Sequence, residues 1–443
     1  MVGVLCLLAG VVVLGNSRAA RYVAGWGCLV SVLLLVFKVG FSSGVAWRVG
    51  ELYSIFDGLS GPLILLSVWL GGLSILAMEE GGGQWGKDAL VVSVLLSVLA
   101  LSSGDLLVFF FFFEASLLPV GWLIVRGGLQ PERFQSVQYM ILYTVASSLP
   151  LLAWLMVFFC QCGHLFIPLK TVSLEVGGSM VMFLLWAFLV KVPSFPWHIW
   201  LPKAHVEAPV GGSMMLAGIM LKLGGVGLIR ILTFSEVGVG IVLDMFCAWA
   251  LWGAVLAGLI CLRELDMKSL VAYSSVSHMG LVVLGILGLS SVGWGGASVM
   301  MIAHGLASSG LFFLVNSIYV KVGSRSLVVC AGLLGVAPGI VAWWFIGVLL
   351  SSGCPPSLSL VGEVMILGSV VGVSVWQSVM AGVIMFLSVA YGLYLYGAVS
   401  HGGVSLRLAP MSAMSSYQKL ISVLHFVPLG LLIASSEVVA YCV

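Results

Sequence analysis

Apolar stretches of about 20 residues, the length at which a helix crosses the hydrocarbon core of a bilayer, follow one another along this chain with only short polar breaks. In lipid every backbone N–H and C=O must be satisfied within the protein, so only helices and closed barrels span, and runs this long are helices. Hydropathy places spans at 2–15, 23–41, 58–78, 88–103, 105–125, 136–160, 178–201, 208–233, 237–261, 268–289 and 294–319. A long apolar stretch at 326–374, interrupted by Cys354-Pro355-Pro356, then precedes spans at 377–397 and 417–436. Of 443 residues 61% are hydrophobic and only 8% charged, where a soluble domain has about 25%. The fold class read from this is an all-α polytopic membrane protein, with 1–443 as a single transmembrane domain. A net charge of +2 without basic runs excludes a nucleic-acid partner. The nine cysteines lie mostly in apolar segments and lack disulfide or zinc spacing.

Charge fixes the count of spans. If 326–374 is one broken helix, there are about 14 transmembrane helices. The loops after odd-numbered spans then carry Arg18, Arg21, Lys87, Arg126, Arg133, Lys203, Arg263, Lys268, Lys321, Arg325, Arg407 and Lys419, against Arg48, Lys170 and Arg230 opposite. Two crossings would move Arg407 and Lys419 to the wrong face. The positive-inside rule therefore puts both termini on the outer side. The apolar start is followed, not preceded, by Arg18 and Arg21, unlike a secretory signal, and it is no Arg-rich transit peptide. Threonine occurs three times and asparagine twice, while Val, Gly, Phe, Leu and Trp abound. That skew toward G- and T-rich codons suggests an organellar genome.

Six ionisable residues cannot reach a loop: Glu114, Lys191, Lys222, His278, His304 and Glu363, one per helix. An intramembrane charge is costly and marks function by default. Lys191 is followed at once by Pro193 and Pro196, which cannot donate to a helix and should leave the carbonyls of Leu189 and Val192 unpaired. Such a break has to face protein or a water-filled cavity. Prolines also interrupt span twelve, and breaks five spans apart point to inverted repeats. The expected organisation is helices 1–3 over 1–87, a first repeat over 88–233 (helices 4–8), a second over 237–397 (helices 9–13) and a C-terminal helix over 398–443, with helices 7 and 12 broken.

Lysine, carboxylate and neutral histidine side chains on neighbouring helices can pass a proton, because approach of a carboxylate favours a charged lysine and its withdrawal an uncharged one. Glu114 is the natural partner for Lys191. The alternative is packing: an ion pair can simply fix helix register, and Ser274, Ser275 and Ser277 could satisfy His278 locally. Two further motifs fail. Gly81–Asp88 has the spacing of a phosphate loop but lacks its Ser/Thr and a preceding strand. Cys160 and Cys162 with His164 have no fourth metal ligand nearby. The phenylalanines at 109–113 suit lipid contact or core packing. No haem or iron–sulfur pattern occurs, so no redox centre is expected.

The stretches FFFEASLLP (111–119), VKVPSFPWHIWLPKAHVEAPVGGSMMLAGIMLKLGGVGLIR (190–230), MKSLVAYSSVSHMGLVV (267–283), MIAHGLASSGLFFLVNSIY (301–319) and PPSLSLVGE (355–363) closely resemble the chain 4 family of mitochondrial NADH-ubiquinone oxidoreductase. The resemblance implies an antiporter-like subunit in the membrane arm of respiratory complex I, translocating protons while quinone is reduced elsewhere. It implies Glu114 and Lys191 as the ion pair at broken helix seven, Lys222 as the central lysine, His278 and His304 as links, and Glu363 as the terminal carboxylate. Flavin, iron–sulfur clusters and quinone would sit in other subunits. Partners would be neighbouring antiporter-like subunits, accessory subunits and lipid, in the mitochondrial inner membrane with both termini toward the intermembrane space. Two departures are mild: Asp105 stands where an uncharged polar residue is usual, and SSGC before the paired prolines lacks an asparagine often found there. Two other readings remain, a secondary sodium/proton antiporter and a helical scaffold whose charges only set register.

Overall fold

The structure, a computed structural model, describes residues 18–39, 48–50, 54–78, 83–128, 130–167, 178–235, 240–403 and 414–440. The expected first span at 2–15 lies outside the described residues. The described chain is helical apart from one short antiparallel hairpin, Arg48–Gly50 with Ser54–Phe56, which an all-α reading did not foresee. Among the described residues ten helices are long and apolar enough to cross a membrane. Those that matter for the site are α1 Gly83–Ser102, α2 Leu106–Ala115, α3 Arg133–Cys162, α4 Gly178–Lys191, α5 Trp200–Glu207, α6 Leu221–Phe234, α7 Ile241–Cys261, α8 Met267–Leu287, α9 Ser291–Val322, α10 Pro338–Ser351, α11 Leu358–Val371, α12 Val375–Ser400 and α13 Ser416–Leu431.

Both expected breaks are present. α4 stops at Lys191 and the helix resumes as α5, after a short 3-10 turn at Trp197–Ile199. α10 stops at Ser351 and α11 starts at Leu358. The two halves of the second break meet only at their junction, while α12 lies along both and α11 lies along α9.

Polar helix starts are built from the sequence. Asp105, Asp266, Ser290, Ser357, Ser374 and Ser415 each accept from a backbone N–H in the first turn, satisfying donors that a helix start leaves unpaired. One local arrangement occurs twice. Asp105 caps α2 and pairs as an isolated antiparallel bridge with Phe166, just beyond the end of α3 at Gly163. Asp266 caps α8 and pairs in the same way with Ser326, just beyond the end of α9 at Gly323. The backbone bonds correspond rung for rung: Leu106 N to Leu165 O (3.1 Å) and Ile167 N to Gly104 O (3.0 Å), then Met267 N to Arg325 O (3.1 Å) and Leu327 N to Leu265 O (2.8 Å). Asp105 is thus a cap and not a member of the buried row.

The centre of the molecule is the segment Val210–Phe234 and the helix α9, both wholly buried along their apolar windows, while the windows in α3 and α13 are about one-third buried. The central pair carries Lys222 and His304.

Candidate functional site

Lys191 lies at the C-terminal end of α4, 1% exposed. Its ammonium sits 3.0 Å from the centroid of the Phe113 ring and donates to the Phe113 carbonyl oxygen at 2.8 Å. Glu114, in the last turn of α2, places Oε1 3.9 Å from the same ammonium. That is close enough for an ion pair and too long for a hydrogen bond, and Oε1 has no hydrogen-bond partner. The break closes two of its carbonyls. Leu189 O accepts from the Ser194 backbone N–H (3.0 Å) and hydroxyl (2.9 Å), so it is not left unpaired as the prolines suggested. Val190 O accepts from the Trp200 indole at 3.1 Å.

Lys222 follows a π-helical turn, Leu216–Met220. A π turn widens the helix and is frequent at functional sites. Here the Lys222 side chain turns back to donate to Ala217 O and meets His304 Nδ1 at 2.8 Å. One hydrogen joins nitrogen to nitrogen in this contact, so either the amine donates to the ring or the ring donates to an uncharged amine. The next ring, His278, has its centroid 5.6 Å from that of His304, and its Nε2 lies 3.4 Å from the Tyr391 hydroxyl. The hydroxyls of Ser274 and Ser275 return to carbonyls of their own helix, and His278 is held locally by a hydrogen bond with the Ser274 backbone.

Between His304, His278 and the second break lies a cavity whose volume open to the centre of a water molecule is about 10 Å³, about the space of one water. Ser274, His278, His304, Ser308, Ser351 and Ser359 supply its polar lining. Beyond it, Glu363 is 3% exposed with Oε1 unpaired. The break wraps closely around this carboxylate. Gly353 has φ 71°, and a Cβ there would fall 2.5 Å from Glu363 Oε2, so glycine serves both the backbone and the approach.

The row is therefore Glu114 and Lys191, then Lys222, His304, His278 and Tyr391 in successive contact, with Glu363 buried beyond them and buried helix between Lys191 and Lys222. Residues 103–388 match the family model described as NADH:quinone oxidoreductase/Mrp antiporter, TM, and residues 1–83 match NADH-ubiquinone oxidoreductase chain 4, amino terminus. The chain 4 of Ceratitis capitata is 41% identical over 413 residues, covering 92% of this chain and 91% of that one. That of Polypterus ornatipinnis is 39% identical over 424 residues, covering 93% and 92%. This chain belongs to the NADH-ubiquinone oxidoreductase chain 4 family. As a chain 4 member it is a multi-pass membrane protein. Its fold is similar to a chain of respiratory complex I from Thermus thermophilus, with a TM-score of 0.85, 25% identity and 99% of each chain covered. A chain of the Mrp complex from Dietzia sp. matches in fold alone, with a TM-score of 0.81, 17% identity, and 96% and 91% coverage.

Sequence reasoning about this chain 4 member missed several polar or aromatic groups. Phe113 was one of a phenylalanine run, and nothing in that run announced which ring would lie under Lys191; Phe109, Phe110 and Phe113 are buried and Phe111 is exposed. Tyr391 gave no signal beyond a hydroxyl inside an apolar span. His198, His205 and His425 are also buried, and the first two lie in the WHIWLPKAH stretch that follows Lys191. Arg230, expected at a loop, is 3% exposed within α6 and donates to Ala100 O (3.2 Å) and Leu101 O (2.5 Å) at the end of α1. Lys268 and Arg325 hold the end of α5: Lys268 donates to Ala208 O at 3.1 Å, and Arg325 to Val206 O at 2.8 Å while pairing with Asp266 at 3.7 Å. Burial raises the Glu207 carboxyl beside them above its ordinary value, and Arg325 pulls it back. The end of the phosphate-loop look-alike forms the first turns of α1. Among the described residues no three His, Cys, Asp or Glu side chains converge to hold a metal.

Proposed function

We propose that this chain is the chain 4 subunit of a respiratory NADH:ubiquinone oxidoreductase and translocates protons through the buried row Glu114, Lys191, Lys222, His304, His278 and Glu363. Its family and fold make it a core membrane-arm subunit of an H+-translocating oxidoreductase, with other complex I subunits as partners. The finer parts of the reading are ours: an inner-membrane location, both termini toward the intermembrane space, repeats over 88–233 and 237–397, and flavin, iron–sulfur and quinone chemistry held by other subunits. The paired Asp105 and Asp266 caps support the repeats.

The observation that carries the proton pathway is the 2.8 Å contact between Lys222 Nζ and His304 Nδ1 in the most buried helices of the molecule. Scaffolding alone does not call for two bases in direct contact there, because a well-packed apolar pair would fix register without the desolvation cost. A sodium/proton antiporter shares the fold, and a direct test separates it. Native membranes are solubilised gently, complexes are resolved on a native gel stained for NADH oxidation, and this chain is located by mass spectrometry. Migration in a very large NADH-oxidising band is the expected result; a smaller assembly without that activity overturns it. Within the assembled complex, Lys222→Met should lower the protons moved per NADH oxidised.

A further inference from the structure

Arg230 is buried on α6, and the row described above does not use it. Lys222 lies eight residues earlier on the same helix, a rise of about 12 Å, and its ammonium turns back toward Ala217, away from Arg230. The Arg230 guanidinium donates to Ala100 O at 3.2 Å and Leu101 O at 2.5 Å, where α1 ends, and lies 5.1 Å from the centroid of the Phe109 ring. Phe109 opens the apolar span Leu106–Gly127 and Arg126 closes it, so Arg230 stands at the end of the bundle remote from that basic loop.

Capping α1 does not account for this charge. Neutral groups can satisfy the last carbonyls of a helix, whereas a buried cation is costly unless it is paired. Arg230 Nε is buried without a hydrogen-bond partner, and among the described residues no carboxylate stands within 4 Å of the guanidinium. The carboxylate whose charge acts on it is Asp57, which is half-buried and accepts from the Ser60 N–H at 2.6 Å where the helix Ser60–Ala77 starts. A guanidinium does not give up its proton in a protein. A fixed positive charge is therefore built into the helix of the central amine, beside a carboxylate that reaches the exterior.

We propose that Arg230 is an electrostatic barrier that stops protons from leaking between Lys222 and the exterior at Asp57. A fixed arginine charge excludes protons from water-filled pores in the same way. Repulsion of an excess proton passing at about 6 Å, at an effective dielectric of about 20, slows its passage about a hundredfold. Without that charge, Asp57 and Lys222 become the two ends of a short route that bypasses the rest of the row and returns protons without work. This rests on the reading of the row as a proton pathway.

The test uses the assembled complex in sealed vesicles without NADH. A pH step is imposed across the membrane, the proton leak is followed with an internal pH dye and corrected for lipid-only vesicles, and assembly is followed on native gels. Arg230→Gln keeps a donor for the α1 carbonyls and removes the charge; Arg230→Lys keeps the charge and gives up the forked pair of bonds. Arg230→Gln should leak about a hundredfold faster than wild type, the factor set by the lost repulsion. Arg230→Lys should leak at the wild-type rate even where its thermal stability falls, and adding Lys222→Met to Arg230→Gln should abolish the extra leak. A wild-type leak in Arg230→Gln, or equal leaks in the Gln and Lys variants, overturns the barrier and leaves the row standing, because a merely structural arginine would affect both variants alike. Extra leak that Lys222→Met does not remove also overturns it. The row itself falls if Lys222→Met alone moves protons per NADH oxidised at the wild-type ratio. If Arg230→Gln does not assemble, Arg230→Met decides by the same comparison.

Discussion

The Glu114–Lys191 pair offers the most direct quantitative test. At 3.9 Å two unit charges attract by about 4 kcal/mol at an effective dielectric of about 20. On its other side the ammonium has the Phe113 carbonyl at 2.8 Å, a charge-assisted bond of roughly 1.5–3 kcal/mol. It also has the Phe113 ring at 3.0 Å, an attraction of about 2 kcal/mol for a desolvated cation. The two pulls are of similar size, so Lys191 is poised between Phe113 and Glu114 and a modest change can move it. Glu114→Gln removes one pull while keeping the shape. A loss of about 4 kcal/mol shifts the balance toward the Phe113-docked position by about a thousandfold, at 1.36 kcal/mol per factor of ten. The complex should still assemble, because the docked position remains. Protons moved per NADH in sealed vesicles should fall by a constant share, and Glu114→Asp, which keeps the charge on a shorter stem, should fall between the two. A Glu114→Gln complex that pumps at the wild-type ratio would refute the idea that this pair moves charge.

Three other substitutions follow from particular contacts. In Gly227→Ala the new Cβ would fall 2.1 Å from Phe188 Cε1, and Phe188 packs on Phe113 with ring centroids 5.5 Å apart; an overpacking cost of about 1–3 kcal/mol should lower the thermal stability of the assembled complex, and Phe188→Leu should restore part of it. Arg325→Gln removes the charged donor to Val206 O, a loss of roughly 1.5–3 kcal/mol, and should speed amide hydrogen exchange over residues 200–209; unchanged exchange would show that Lys268 alone holds this end. Tyr391→Phe deletes the hydroxyl 3.4 Å from His278 Nε2; assembly should be unchanged and the pumping rate reduced, whereas an unaffected rate would remove Tyr391 from the row.

Residues that lipid forbids were legible in the sequence, because hydropathy and charge act one residue at a time. Lys191, Lys222 and Glu363 stood out from their spans, and the prolines marked both breaks. Contacts between helices were not legible. Nothing in a run of five phenylalanines says that Phe113 will lie under a lysine from another helix, and Arg230 resembled a loop residue because its partners, the last carbonyls of α1, are distant in sequence. The hairpin at 48–56 is too short to show a period-two pattern. The Asp105 and Asp266 caps were visible as residues, and their equivalence was not, since it lies in matching backbone rungs and not in shared side chains.

The placement of the lysines follows from the irregular backbone around them. A break in a buried helix releases carbonyls that must find donors, and here side chains supply them: Ser194 at Leu189, Trp200 at Val190, Lys222 at Ala217 and Ser359 at Leu350. The same break ends α4 at Lys191, where the negative end of the helix dipole favours a cation. Part of the stabilisation of the buried ammonium therefore comes from fixed backbone and from Phe113, not from Glu114. That is why the carboxylate can stand 3.9 Å away without a hydrogen bond. A tight ion pair would hold its charge permanently; a lysine supported by the break and only partly by its carboxylate can give the charge up, as the proposed proton pathway requires of Lys191.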